Sequence, residues 1–169
     1  MRFLLAMLLL ASTVACTTPS APPGDAPMIE RAKFFGNPTK TGGRISPDGQ
    51  WLSWIAPRDG VLNVWVAPAN HPDQAWPLTA EKTRPIRTTF WSPDSRSVLF
   101  INDRGGDENY RLYGVDVASG SQKNYTPFEK TRVQVIHISR KVQSRILVGI
   151  NNRDPRWHDV YSVDLASGR

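Results

Sequence analysis

From Gly43 onward the chain alternates short apolar runs with polar turns, the pattern of strands rather than of amphipathic helices. Residues 51–55 and 61–66 flank Pro57-Arg58-Asp59-Gly60, whose Asp-Gly step predicts a tight hairpin. Residues 97–101 and 110–115 flank the polar loop 102–107 in the same way, and residues 144–150 and 160–164 flank 151–155. A shorter polar strand follows the first two pairs, at 74–78 and 122–125. Further strands at 85–91 and 132–138 lead into the second and third units, so the pattern predicts four strands per unit. Ahead of them, residues 29–35 predict a turn or two of helix closed by Gly36-Asn37-Pro38.

These units repeat. Ile45-Ser46-Pro47-Asp48-Gly49 returns as Trp91-Ser92-Pro93-Asp94-Ser95 and, in degenerate form, as Ile138-Ser139-Arg140, at spacings of 46 and 47 residues. Asp116-Val117-Ala118-Ser119-Gly120 returns as Asp164-Leu165-Ala166-Ser167-Gly168 after 48 residues. A period of roughly 40–50 residues with several short strands per unit is the signature of β-propeller blades. Ser-Pro-Asp-Gly recurs for a physical reason: proline fixes φ, aspartate binds nearby backbone amides and glycine accepts a positive φ. Ser46 and Ser92 are therefore read as turn formers and not as nucleophiles.

The beginning of the chain reads as a targeting segment. Met1-Arg2 is a short positive start and residues 3–10 are an apolar run too short to span a bilayer. Ala11-Ser12-Thr13-Val14-Ala15-Cys16 then resembles a bacterial lipoprotein signal, with Cys16 as the lipidation site; Thr13 stands where such signals most often carry leucine. The alternative is an ordinary signal peptide cut after Ala15. Cys16 is the single cysteine, so no intrachain disulfide can form and packing alone must hold an exported domain together. The Pro-rich stretch after it has the composition of a semi-extended tether.

With 40% apolar and 21% charged residues, the 169-residue chain is composed like a globular protein and unlike a disordered or multi-span membrane chain. Its net charge of +6 is spread over many segments, whereas nucleic-acid binders gather such charge on one face. No nucleic-acid partner is expected.

Phe35-Gly36-Asn37-Pro38, Arg44-Ile45-Ser46-Pro47-Asp48-Gly49, Leu62-Asn63-Val64-Trp65 and Gly106-Asp107-Glu108-Asn109-Tyr110, in this order, make the chain resemble the prolyl oligopeptidase family of serine peptidases. The likeness runs from about residue 29 to residue 169, on the branch described as dipeptidyl-aminopeptidase or acylaminoacyl-peptidase-like. It implies an N-terminal β-propeller that restricts access to a C-terminal α/β-hydrolase domain with a Ser-Asp-His triad. It also implies short peptides as substrates and no metal or organic cofactor. No Gly-x-Ser-x-Gly pentapeptide occurs here, so no catalytic residue can be carried over and the chain is expected to be silent by itself.

The expected fold is thus all-β, an incomplete β-propeller of about three four-stranded blades. Residues 1–15 would be the signal peptide, 16–28 a disordered, lipid-anchored tether, and 29–169 the partial propeller, with blades near 41–80, 85–127 and 131–169. The expected location is the bacterial cell envelope, periplasmic or held at the membrane through the lipid on Cys16. A second reading keeps the propeller and drops the enzyme: a periplasmic binding scaffold.

Other chemistry is weaker. His71, His137 and His158 lack ligand partners at metal spacing. The loop 102–109 offers carboxylate and amide oxygens for calcium but lacks a dedicated loop's regular alternation, and Arg104 opposes a cation; a plain hairpin turn is the simpler reading. Trp54, Trp65, Trp91, Tyr113 and Tyr161 recur at matching places in the units, which argues for packing between blades.

Overall fold

The computed structural model describes residues 28–36 and 39–168. The predicted signal peptide, Cys16 and the tether up to residue 27 lie outside the described residues. Two compact units are present, divided after Gly36. The first holds one short helix, α1 (Arg31–Phe35), entered from Glu30 without a side-chain cap and closed by the Gly36 amide on the Ala32 carbonyl at 2.8 Å.

The second unit is three antiparallel sheets. The first runs in the order β1 (Thr41–Ile45), β2 (Trp51–Arg58), β3 (Val61–Pro68), β4 (Trp76–Pro77). The second repeats it with β5 (Thr89–Trp91), β6 (Ser97–Asn102), β7 (Arg111–Asp116) and β8 (Gln122–Asn124). The third comprises β9 (Val133–His137), β10 (Arg145–Asp154) and β11 (Trp157–Asp164), ordered β11-β10-β9. These are the three strands that the sequence pattern places at 132–138, 144–150 and 160–164. β1 and β5 approach one another across adjacent sheets, as the innermost strands of neighbouring blades do.

Turn chemistry sets each blade. Asp59 and Gly60 both take positive φ (52° and 82°), the two-residue turn whose twist matches that of β2 and β3, and Arg58 pairs with Val61 across it. In the first Ser-Pro-Asp-Gly turn the Trp51 amide donates to Ser46 Oγ at 2.9 Å and the Gln50 amide to Asp48 Oδ1 at 3.0 Å. The second copy reproduces both bonds, Ser97 amide to Ser92 Oγ and Arg96 amide to Asp94 Oδ1. Ser46 and Ser92 are buried and spent on their turns. At Ser139 the pattern changes: its Oγ accepts from the Lys141 amide, at 3.2 Å, two residues on.

A device that pattern reading missed also repeats. The Val64 amide donates to Thr79 Oγ1 and the Leu112 amide to Thr126 Oγ1, each at 2.9 Å. These buried threonines satisfy third-strand amides where the fourth strand leaves off, so no backbone donor is orphaned there. The chain then crosses to the next blade through the Ile86 amide on the Leu62 carbonyl and the Val133 amide on the Tyr110 carbonyl.

Packing follows from the middle sheet's position. β6 and β7 are apolar on both faces because each face meets another sheet. Val98, Phe100, Tyr113 and Val115 pack with Val64 and Val66 of the first sheet. Leu99 and Leu112 pack with Ile146, Val148 and Val163 of the third. Phe100 and Tyr113 stack at 5.4 Å. Of the recurrent aromatics, Trp91 and Tyr113 are buried between blades, whereas Trp54 and Trp65 are half-buried and Tyr161 is exposed. Packing between blades accounts for the first two only.

Candidate functional site: the β6–β7 loop and the crossing before β5

The richest polar constellation surrounds the loop between β6 and β7. Asp103 leaves the end of β6 with its side chain wholly shielded from solvent, and Arg84, from the segment crossing into the second blade, covers it. Arg84 Nε and Nη2 donate to the two carboxylate oxygens at 2.7 and 3.0 Å. The Glu108 amide adds a bond of 3.2 Å and the Asp103 amide itself is held by Asn102 Oδ1 at 3.1 Å. Burial works against ionisation of Asp103, but these donors outweigh it and hold its carboxyl below the usual range.

Farther along the loop, Asp107 is its organising acceptor. It receives the Arg104 and Asn109 amides, the Asn109 side chain and Arg111 Nη1, at 3.0–3.2 Å. Partial desolvation opposes them, yet together they lower its pKa to about 2. The turn is made by Gly105 and Gly106 at positive φ, and Glu108 is held at φ 54°, a conformation costly for a side-chain-bearing residue. Glu108 Oε2 there accepts from Arg132 Nη2, of the crossing into the third blade, at 2.9 Å, both groups being exposed.

Arg111 is a functional-looking residue that the sequence reading left unremarked. Its side chain is only 2% exposed although it heads a strand. It bonds the Asn109 carbonyl at 3.0 Å and Glu129 Oε2 at 3.3 Å besides Asp107. The equivalent place in the first blade is Asn63, 48 residues earlier, which bonds the Val61 and Glu81 carbonyls and receives Thr79 Oγ1. In the third blade it is Asp159, paired with Arg153 at 2.7 Å. One position, three polar solutions: the repeat spacing was the signal that would have found it.

The carboxylates of this loop are thus committed to guanidinium and amide donors rather than open to calcium. Among the described residues no group of three or more His, Cys, Asp and Glu side chains is disposed to hold a metal ion. His71, His137 and His158 are exposed and far apart in sequence. Ser119 bonds Asp116 in a turn, Oγ to Oδ1 at 2.9 Å, and Ser167 does the same with Asp164. On the opposite rim a cleft of about 540 Å³ lies between the second and third sheets; Lys123 Nζ crosses it to the Ala166 carbonyl and Tyr125 Oη to the Leu165 carbonyl. Those bonds tie blade to blade.

No family model matches the chain. By sequence it is 48% identical over 170 residues to dipeptidyl aminopeptidase BIII of Pseudoxanthomonas mexicana, a match covering 95% of this chain and 25% of that protein. The chain therefore spans about a quarter of that relative's length. By fold it is similar to the β-propeller domain of the trilobed protease from Pyrococcus furiosus (TM-score 0.53, 21% identity, 75% of this chain and 40% of that one). It is also similar to a TolB of Agrobacterium tumefaciens (TM-score 0.55, 18% identity, 78% and 49%). At these identities the solved structures speak for the propeller fold alone. The long sequence match to an aminopeptidase, carried by sheets with the strand order of propeller blades, places the chain in the prolyl oligopeptidase family, on its dipeptidyl-aminopeptidase branch, as β-propeller sequence.

Proposed function

We propose that these blades belong to an exported serine peptidase of the bacterial envelope, anchored through Cys16, in which the propeller admits short peptides and keeps larger chains out. The hydrolysis itself falls to a Ser-Asp-His hydrolase segment; Ser46, Ser92, Ser119 and Ser167 are bonded into turns. The observation that carries this reading is the 48% identity to an aminopeptidase along 95% of the chain. The bonded loop 102–111 supports it, since a gate must keep its shape, and here two aspartates and two arginines fix one hairpin.

A chimera tests it. The corresponding quarter of dipeptidyl aminopeptidase BIII is replaced by this chain, and release from short chromogenic dipeptidyl substrates is compared with digestion of an unfolded protein. Retained release with the large substrate spared is the expected result. A folded chimera that is inactive, or that digests the large substrate, overturns the gating role; inactivity points to a binding scaffold.

A further inference from the structure

A cavity of about 380 Å³ opens beside the site just described, between the crossing into the second blade and the β6–β7 loop. Arg84, Arg87, Phe90, Ile101, Asp103 and Tyr110 line it. Phe90 lies on β5, the innermost strand of its blade, so the cavity is at the end of the sheet that faces the propeller axis. Its volume falls in the range of small-molecule sites and suits a fragment of a peptide.

The charge balance selects the ligand. Asp103 is neutralised in place: Arg84 occupies both of its oxygens and the Glu108 amide a further lone pair. That leaves Arg87 as the surplus cation. Its side chain is exposed and makes no hydrogen bond or ion pair among the described residues, whereas Arg132, Arg153 and Arg156 each hold a carboxylate within 2.9 Å. Arg84 also keeps Nη1 without an acceptor, fixed in place by the bonds its other nitrogens make to Asp103. A planar guanidinium between apolar walls such as Phe90, Ile101 and Tyr110 favours a planar anion that accepts two parallel bonds.

We infer that Arg87, with Arg84 beside it, forms a carboxylate-binding subsite for a short peptide, taking either its terminal carboxylate or an acidic side chain. That the carboxylate arrives on a peptide rests on the function proposed above; the carboxylate chemistry does not.

The test is calorimetric titration of the full chain with three probes: trialanine, trialanine amide, and amidated Ala-Asp-Ala. Trialanine is expected to bind and its amide to bind about tenfold or more weakly. Binding of amidated Ala-Asp-Ala more tightly than trialanine assigns the subsite to acidic side chains, equal binding shows that it takes either carboxylate, and its failure to bind assigns the subsite to the terminus. Arg87→Gln removes the preference while leaving the melting temperature unchanged, because the side chain is exposed and unbonded; Arg87→Lys restores part of it. Equal binding of all three probes, an unaltered Arg87→Gln variant, or no binding of any probe up to about 10 mM overturns the inference. Because no hydrolysis is read, an inactive chimera whose chain still binds trialanine sinks the peptidase reading alone, and an active chimera without this preference sinks the subsite alone.

Discussion

Arg84 and Asp103, nineteen residues apart, meet through two parallel hydrogen bonds of 2.7 and 3.0 Å that lock the crossing into the second blade onto the end of β6. The carboxylate is wholly shielded while the guanidinium is 35% exposed. The pair is therefore asymmetric: removing Arg84 strands a buried charge, whereas removing Asp103 frees a cation that can turn to water. Asp103→Ala is expected to cost about 1.5–3 kcal/mol, the range for losing hydrogen bonds to charged groups. Arg84→Met should lower the urea midpoint at least as far, although Arg84 is the more exposed partner. A smaller loss for Arg84→Met than for Asp103→Ala would contradict this asymmetry.

Acid should loosen the same loop. Asp107 titrates near 2 in the folded chain against an ordinary value near 3.9. A folded-state pKa below the unfolded one stabilises at pH above the unfolded value, and that stability is lost as pH falls through the folded value. The contribution of Asp107 is complete above about pH 5 and drains away between about pH 4 and pH 2. Asp103 shifts in the same direction, as do Asp48, Asp116, Asp154, Asp159 and Asp164. Denaturation midpoints followed downward from pH 6 should decline over that window, and Asp107→Asn should flatten part of the decline. An unchanged profile in Asp107→Asn would show that the bonds to Asp107 do not differ between folded and unfolded chains.

The blade pattern was legible because it rests on local chemistry. Asp59-Gly60 has only one comfortable hairpin geometry, and Ser46 and Ser92 bond the amides five residues on. The third sheet was legible on the same grammar, its strands standing at the runs 132–138, 144–150 and 160–164. Arg111 escaped notice for another reason. An arginine at a strand head reads as a solvated end residue, and only the convergence of Asp107, Asn109 and Glu129 makes its burial tolerable. The pairing of Arg84 with Asp103 likewise depends on a crossing segment's path, which no periodicity encodes.

Gly114 is required by space and not by backbone conformation. A Cβ there would stand 2.6 Å from Leu99 Cδ2 and 2.8 Å from Tyr125 Cε2, between the second and third sheets. Both neighbours are buried, so neither can yield freely. Gly114→Ala should therefore destabilise by about 1–3 kcal/mol through overpacking. Gly120→Ala, at φ 69° with open space around it, should cost about 1–2 kcal/mol through backbone strain alone. Shortening Leu99 to valine should lessen the damage at Gly114 and leave that at Gly120 untouched. A double mutant showing no such coupling would refute the steric account.

Ser95 stands where the first repeat has Gly49, and both take positive φ, 64° and 75°. Serine there carries a conformational penalty of about 1 kcal/mol that glycine would not. Its hydroxyl compensates: the Asp48 amide, in the turn of the neighbouring blade, donates to Ser95 Oγ at 3.0 Å. A hydrogen bond of this kind is worth about 1 kcal/mol, so the two effects nearly cancel. Ser95→Gly is accordingly expected to leave stability within about 0.5 kcal/mol of the parent, relieving strain and forfeiting the bond. Ser95→Ala keeps the strain and forfeits the bond, and should lose about 1 kcal/mol. Chemical denaturation of the two variants side by side separates strain from bonding. Glycine falling as far as alanine would mean that the backbone at Ser95 is under no strain, and that the contact between turns alone decides which residue this repeat carries.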